Sequence, residues 1–379
     1  MGKGNSTTDN FFAAQKEKSR VKTLIVTEFF KAYFPIINAQ FKQDIWYIDL
    51  FCGPGYYDDG SASTPIKLLD TIDTFKDDAV RNRLKIVFND HNKEYTEKLR
   101  QYVKTHPVYS RLKHQPQIRN LKASEINLSE YTKGNHPIFS FVDPWGYKDV
   151  SVSQVWDLVK NQGSDCVLFF NSDRILQDIS KPSNEEDFRK IFGDLFDDAK
   201  AIQMDSSMSQ RRKAEAFLKL FSQNLYLTVK EEYDNRFKLF VLPFYVEADD
   251  KGKTSHYIVF ISKAHKAIQE MRKVMIKQGN SISAELGYDS KDDMQISLLN
   301  RDDDSSNSII QTIKAIFSKH PQCYDKKYTV AKLSELMDRY EMSTAYKVLP
   351  YSLAEVKSAV ELLHQRECIK VVLPEGKRV

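Results

Sequence analysis

The chain has 379 residues, 41% hydrophobic and 28% charged, with 56 Lys+Arg against 52 Asp+Glu for a net charge of +4. That is ordinary for a globular protein with one large α/β domain and a small companion, and the slight basic excess does not by itself argue for nucleic acid. No apolar run is long enough to span a membrane, the N-terminus lacks a signal-peptide core, and Cys52, Cys166, Cys323 and Cys368 are too scattered for a zinc or redox motif. The cysteines are expected as small buried residues of a cytoplasmic protein.

Residues 1–19 are polar and read as a loose tail. Leu24, Ile25, Phe29 and Tyr33 then recur at helical spacing, predicting an amphipathic helix from Val21 that ends near Pro35. Strands follow over 45–51, 85–89, 117–121, 138–142 and 166–171, with helices over 64–74, 92–104 and 151–160. Continuous apolar strands alternating with helices imply a parallel sheet covered on both faces. Residues 183–225 are helical and mixed in charge, and read as an insertion or a cover. Strands over 237–247 and 256–262, joined by Asp249-Asp250-Lys251-Gly252-Lys253, give a hairpin, and a helix over 265–278 follows. An antiparallel pair closing a parallel sheet is the ending expected of the class I methyltransferase fold. Residues 20–297 are therefore assigned to a Rossmann-like domain of that kind.

A polar linker, 298–307, leads to a final module at 308–379. Its predicted order is helix, extended piece, helix, helix, hairpin, with helices near 309–319, 330–340 and 352–365. That is the order of a winged helix with a basic wing.

Two strand ends carry the chemistry. The first reads Tyr47-Ile48-Asp49-Leu50-Phe51-Cys52-Gly53-Pro54-Gly55. A donor such as S-adenosylmethionine must lay its zwitterionic tail against backbone at a strand end, and Gly53 and Gly55 permit that approach. Asp49 is placed to take the donor's ammonium, directly or through water, with Phe51 and Cys52 in the same loop. The next strand ends at Asp90, a candidate acceptor for both ribose hydroxyls; a helix N-cap is the competing role. The adenine contact expected after the third strand falls on Ser124 or Glu125, with ordinary surface polarity as the competing reading.

The second strand end reads Asp143-Pro144-Trp145-Gly146-Tyr147. An exocyclic amine is a poor nucleophile because its lone pair is delocalised. Two acceptors on its hydrogens, the Asp143 carboxylate and the Pro144 carbonyl, would aim that lone pair, while Trp145 or Tyr147 stacks on the base. DNA amino-methyltransferases usually place the aromatic fourth in this motif; here Trp is third and Gly fourth, closer to the tRNA guanine N2-dimethyltransferase form. Asn171 and Arg174 follow the fifth strand and are expected on the same cleft, Arg174 toward a phosphate or a substrate edge. His91 and His256 read as packing or surface histidines.

With these motifs in place the chain resembles the three-Cys-motif partner proteins of bacteria and their viruses. The resemblance rests on the opening helix, the Tyr47–Gly55 string with Tyr56-Tyr57, the stretch from Gly60-Ser61 to Thr64-Pro65, and Val142-Asp143-Pro144-Trp145-Gly146-Tyr147-Lys148. Val241-Leu242-Pro243-Phe244, the strand His256–Ile261 and a Met-containing helix extend it over roughly residues 20–280. Family members more often carry Ala at Cys52 and Phe at Trp145. The resemblance implies a separate radical-SAM-like partner with three cysteines and a role in mobile elements or phage defence.

The expected activity is S-adenosylmethionine-dependent methylation of an exocyclic amine of a DNA or RNA base. The final module would read the target through Lys357, Lys370, Lys377 and Arg378, unless it is a protein-binding winged helix. A non-catalytic scaffold is the alternative, and a nuclease is weaker because the carboxylates form no clear metal set.

Overall fold

The computed structural model describes residues 17–144, 146–232, 238–248, 253–279, 287–288, 309–314, 316, 330–338 and 353–365. In chain order the large domain runs α1 (Glu17–Gln40), β1 (Ile45–Asp49), α2 (Thr64–Asp73), α3 (Ala79–Arg83), β2 (Leu84–Asn89), α4 (Lys93–Thr105) and β3 (Gln117–Arg119). It continues through α5 (Ser129–Thr132), β4 (Ile138–Val142), α6 (Val152–Val159), β5 (Asp165–Phe170), α7 (Ser172–Asp178), α8 (Glu185–Phe192) and α9 (Phe196–Met204). It closes with α10 (Gln210–Glu232), β6 (Phe240–Ala248), β7 (Lys253–Ser262), α11 (His265–Gln278) and β8 (Gly287–Tyr288).

The strands form one eight-stranded sheet in the order β3-β2-β1-β4-β5-β7-β6-β8. Pairings among β1 to β5 are parallel, while β7 runs antiparallel to both β5 and β6. The architecture is Rossmann-like, with the predicted antiparallel pair closing a parallel sheet. Alternation along β1 shows how both faces are buried. Trp46 and Ile48 join a core with α6, α8 and α10, whereas Ile45 and Tyr47 join a core with α1, α2, α4 and α11.

Three differences from the sequence expectation have physical causes. Helix α1 starts at Glu17, inside the expected tail, and runs through Pro35 to Gln40. A proline inside a helix costs about 3 kcal/mol, and burial of Phe34 and Ile37 on the flanking turns offsets it. Strands β1 and β3 stop at Asp49 and Arg119, two residues short of the expected ends, because Phe51 N–H turns onto Asp49 Oδ1 and Leu121 N–H onto Asn89 Oδ1 in place of ladder partners. The 183–225 segment covers one face of the sheet, and its last helix runs past the expected end to Glu232. In α10, Ala214, Phe217, Leu218, Phe221, Leu225 and Val229 are buried at helical spacing and form part of one sheet face's core.

In the final module, helical residues 309–314 and the helices Val330–Asp338 and Leu353–Gln365 share a small core of Ile309, Ile310, Ile313, Leu333, Val356 and Leu363. Buried Arg272 of α11 holds both oxygens of Asp338, and His265 Nε2 lies 2.8 Å from Asp338 Oδ2, tying this module to the large domain. The linker 298–307 and the wing expected after the last helix lie outside the described residues, as do Cys323 and Cys368. Among the described residues no helix is long and apolar enough to cross a membrane.

Candidate active site

Parallel register brings three carboxylates to one edge of the sheet. Asp49 pairs with Phe88 of β2 and with Phe141 of β4. Asp90 and Asp143 each stand two residues past those partners, so all three lie at the strands' C-terminal edge, where open α/β sheets place ligands.

The loop after β1 is held by backbone. Cys52 N–H donates to Asn89 O at 2.8 Å, and Leu50 N–H donates to Phe141 O at 3.1 Å. The buried Asn89 amide donates to Leu50 O and Leu121 O, both at 3.0 Å, and its Oδ1 accepts from Leu121 N–H. One side chain thus clamps the loops after β1 and β3; the sequence reading missed it because Asn at a strand end ordinarily signals a turn. Gly55 has φ +95°, which strains any other residue, and a Cβ there would press on Leu99 Cδ1 of α4 at 3.0 Å.

Gly53, at φ +65°, donates its N–H to Asp90 Oδ2 at 2.9 Å. Asp90 Oδ1 accepts from Asn92 N–H at 2.8 Å. The helix N-cap is Asn92, not Asp90, because Asn92 Oδ1 accepts from Glu94 and Tyr95 N–H. Each Asp90 oxygen keeps a second lone pair for a hydroxyl donor.

Asp49 is fully buried. Its Oδ1 accepts from half-buried Phe51 N–H at 3.1 Å, while its Oδ2 has no hydrogen-bond partner among the described residues. Burial pushes the Asp49 carboxyl well above its ordinary value; the Phe51 bond opposes this, the charges of Asp143 and Asp90 add to it, and Lys22 opposes it. A buried carboxylate oxygen without a partner costs on the order of 1–3 kcal/mol or more. A cation bound beside it, directly or through water, would offset that cost, so the residue fits a ligand with an ammonium group. Cys52 is buried and its thiol is pushed up by burial, then by Asp49 and Asp90, so it is a packing residue and not a nucleophile.

On the other side of the site, Asp143 Oδ2 accepts a hydrogen bond from Lys22 Nζ of α1 at 2.5 Å. The same ammonium lies 4.1 Å from the ring centre of Phe169, at the end of β5. Phe169 in turn packs on buried His256, ring centres 4.2 Å apart. Pro144, Gly146, Phe169 and Asn171 line one small cleft, so the loops after β4 and β5 do meet. Neither Lys22 nor Phe169 was singled out from sequence. Nothing in the spacing links a lysine on the first helix to a strand end 121 residues away.

Tyr147 lines the same cleft. It is buried, stacked on Phe188 with ring centres 3.9 Å apart, and its hydroxyl lies 3.4 Å from Asp178 Oδ2. Burial, then Asp178, pushes its phenol up to about 12. Contact with Phe188 of α8 thus holds the ring in the wall of that cleft. Trp145 lies outside the described residues.

Ser124 Oγ donates to Asp149 Oδ1 at 2.8 Å, and Glu125 accepts from Lys122 N–H in its own turn. Ser124 and Asp149 line an open pocket of about 410 Å³ with Asn127, Ser151, Gln154 and Asp187. Asn171 caps α7 by accepting from Arg174 N–H, and Arg174 is exposed. Lys357 is exposed and pairs with Glu361 at 3.5 Å, while Lys370, Lys377 and Arg378 lie outside the described residues. Exposed His91 sits beside Asp90. Among the described residues no group of three or more His, Cys, Asp or Glu is arranged to hold a metal ion.

No protein-family model and no curated sequence matches this chain. Among solved structures it is similar to an rRNA methylase from Streptococcus thermophilus, at 9% identity over 62% of this chain and 94% of that one, TM-score 0.30. It is also similar to a SAM-dependent methyltransferase from Methanosarcina mazei, at 12% identity over 61% and 97%, TM-score 0.31. A Streptococcus mutans protein solved in complex with SAH matches at 10% identity over 66% and 100%, TM-score 0.30. Likeness at this level carries no argument about substrate or residue roles.

Proposed function

We propose that this chain is an S-adenosylmethionine-dependent methyltransferase acting on an exocyclic amine of a nucleic acid base. The observation that carries the reading is the buried, unpartnered Oδ2 of Asp49, set beside a glycine loop and two further carboxylates at the sheet edge. The solved structures it resembles, an rRNA methylase among them, agree with this reading without carrying it.

In this reading the Asp49 carboxylate takes the donor's ammonium, Asp90 takes the ribose hydroxyls with its free lone pairs, and Gly53 and Gly55 let the backbone approach. Once bound, the donor supplies a methyl group on a cationic sulfur. The chain's own part is placement. Asp143 and the Pro144 carbonyl accept the two N–H bonds of the acceptor amine and so aim its lone pair, and Trp145 supplies a stacking face. A strong base is unnecessary, because the amine's proton leaves after transfer; catalysis is then positioning and electrostatics. The three helices of the final module are the candidate reader of the polymer. The motif likeness to three-Cys-motif partner proteins adds the expectation of a second, cysteine-bearing protein in the cell.

Calorimetric titration with S-adenosylmethionine and S-adenosylhomocysteine tests the donor site. Binding near micromolar Kd, about −8 kcal/mol, is expected for the parent chain and is lost in Asp90→Ala. No binding by folded protein removes the reading and leaves a scaffold role.

A further inference from the structure

We propose that Lys22 is a positioning residue of the acceptor site: it pins Asp143 through Oδ2, so that the carboxylate presents Oδ1 alone to the incoming amine. The inference rests on the methyltransferase reading above and extends it to a residue on a helix outside both motifs.

Three contacts place Lys22. Its Nζ is 2.5 Å from Asp143 Oδ2, and its ammonium lies 4.1 Å from the Phe169 ring centre. Its charge also acts on Asp49, so the ammonium stands within electrostatic reach of both halves of the site. The side chain is only 11% exposed, which marks a held group and not a solvated surface lysine. Next to it, Thr23 Oγ1 and Thr64 Oγ1 share a hydrogen bond at 3.0 Å, fixing this turn of α1 against the start of α2. The helix that carries Lys22 is therefore anchored to the element that follows the donor loop.

A carboxylate free to rotate offers an acceptor amine two equivalent oxygens and many angles. One whose Oδ2 is held by a buried ammonium offers a single oxygen in a fixed plane. The Pro144 carbonyl is the next acceptor in the chain, so a planar amine would be fixed by one hydrogen bond from each hydrogen. Misplacing a reacting group by about 1 Å costs on the order of 100-fold in rate. Loss of the clasp is expected to cost turnover while sparing donor affinity.

The test uses the full chain with Lys22→Met and Lys22→Arg. Donor affinity is measured by calorimetry. Methyl transfer is measured with tritiated donor on two probes, unmethylated plasmid DNA and total RNA. Lys22→Met should keep donor affinity within about threefold and lose about 10- to 100-fold in kcat, and Lys22→Arg should recover only part of the loss, because its fork can engage both Asp143 oxygens. Unchanged kcat in Lys22→Met overturns the proposal. Independently of any acceptor, nitrogen-15 NMR of the donor-free chain should show a slowly exchanging lysine ammonium signal that disappears in both Lys22→Met and Asp143→Asn. Absence of that signal from the parent overturns the clasp even if neither probe is methylated. Failure of folded parent to bind donor instead removes the underlying methyltransferase reading, whatever the NMR result.

Discussion

The proposed donor and acceptor halves of the site are built by different means. On the donor side, position is set by main chain: Gly53 N–H on Asp90, Phe51 N–H on Asp49, Cys52 N–H on Asn89 O. On the acceptor side it is set by one side chain reaching another across the fold, Lys22 to Asp143. Backbone-built sites are rigid and local, because the residues that shape them are neighbours in sequence or in strand register. Side-chain-built sites are adjustable and depend on distant packing. The two halves should therefore fail separately when mutated.

The largest expected effect is on the donor half. Gly55→Val forces a branched side chain into φ +95° with a Cβ 3.0 Å from Leu99 Cδ1. It should reduce donor affinity by more than ~100-fold in a calorimetric titration, in line with the close backbone approach such loops require. Retained affinity would mean that the loop does not touch the donor.

Asp143→Ala isolates the acceptor half. Turnover should drop about 100- to 1000-fold, the loss typical of removing one transition-state hydrogen-bonding group, with donor affinity unchanged. Turnover is read with the same tritiated donor, and a thermal melt checks that the stranded Lys22 ammonium has not unfolded the chain. Equal loss of donor binding would show that the two halves are one.

Asp49→Asn is smaller and carries a sign. The folded chain holds a proton on Asp49 above the ordinary value of 3.8, which the unfolded chain has already released there. Between those two values the native state binds more protons, so this group's contribution to stability falls as pH rises through the folded-state value. The variant lacks that slope. Its melting temperature should gain on the parent's as pH rises above about 4, while donor affinity weakens about 10- to 100-fold, the worth of one charge-assisted bond. Parallel melting curves across that range would show that burial does not raise the Asp49 carboxyl.

The same contrast governs what the sequence disclosed. The strand-loop strings ending at Gly55 and Asp90 could be read because glycine, a strand end and an acid close in sequence already specify a backbone-shaped pocket. The hairpin of β6 and β7 was equally plain, since continuous apolar runs broken by a charged turn leave little choice. The Lys22 clasp was not legible, because a lysine on a helix carries no mark of which strand end it will meet. The mixed charge of α10 masks its buried stripe from Ala214 to Val229 in the sequence, and the stripe shows only once the sheet provides a face to fill. Pro35 was read as a stop because the packing that outweighs its cost is tertiary.

Tyr147 gives the smallest effect and the sharpest test of the acceptor half's boundary. As a stacking platform it would contribute about 1–3 kcal/mol to base binding. As a core residue on Phe188 it contributes nothing to chemistry, and its hydroxyl makes only a long 3.4 Å bond to Asp178. Tyr147→Phe should therefore leave turnover within about twofold and stability within about 1 kcal/mol. Tyr147→Ala should instead lower stability by about 3–5 kcal/mol, as large-to-small changes in a packed core do. Acceptor KM and a denaturant titration, both of Tyr147→Ala, decide between the roles. A raised KM in a stable Tyr147→Ala chain would bring the ring back to the site and widen the acceptor half toward α8.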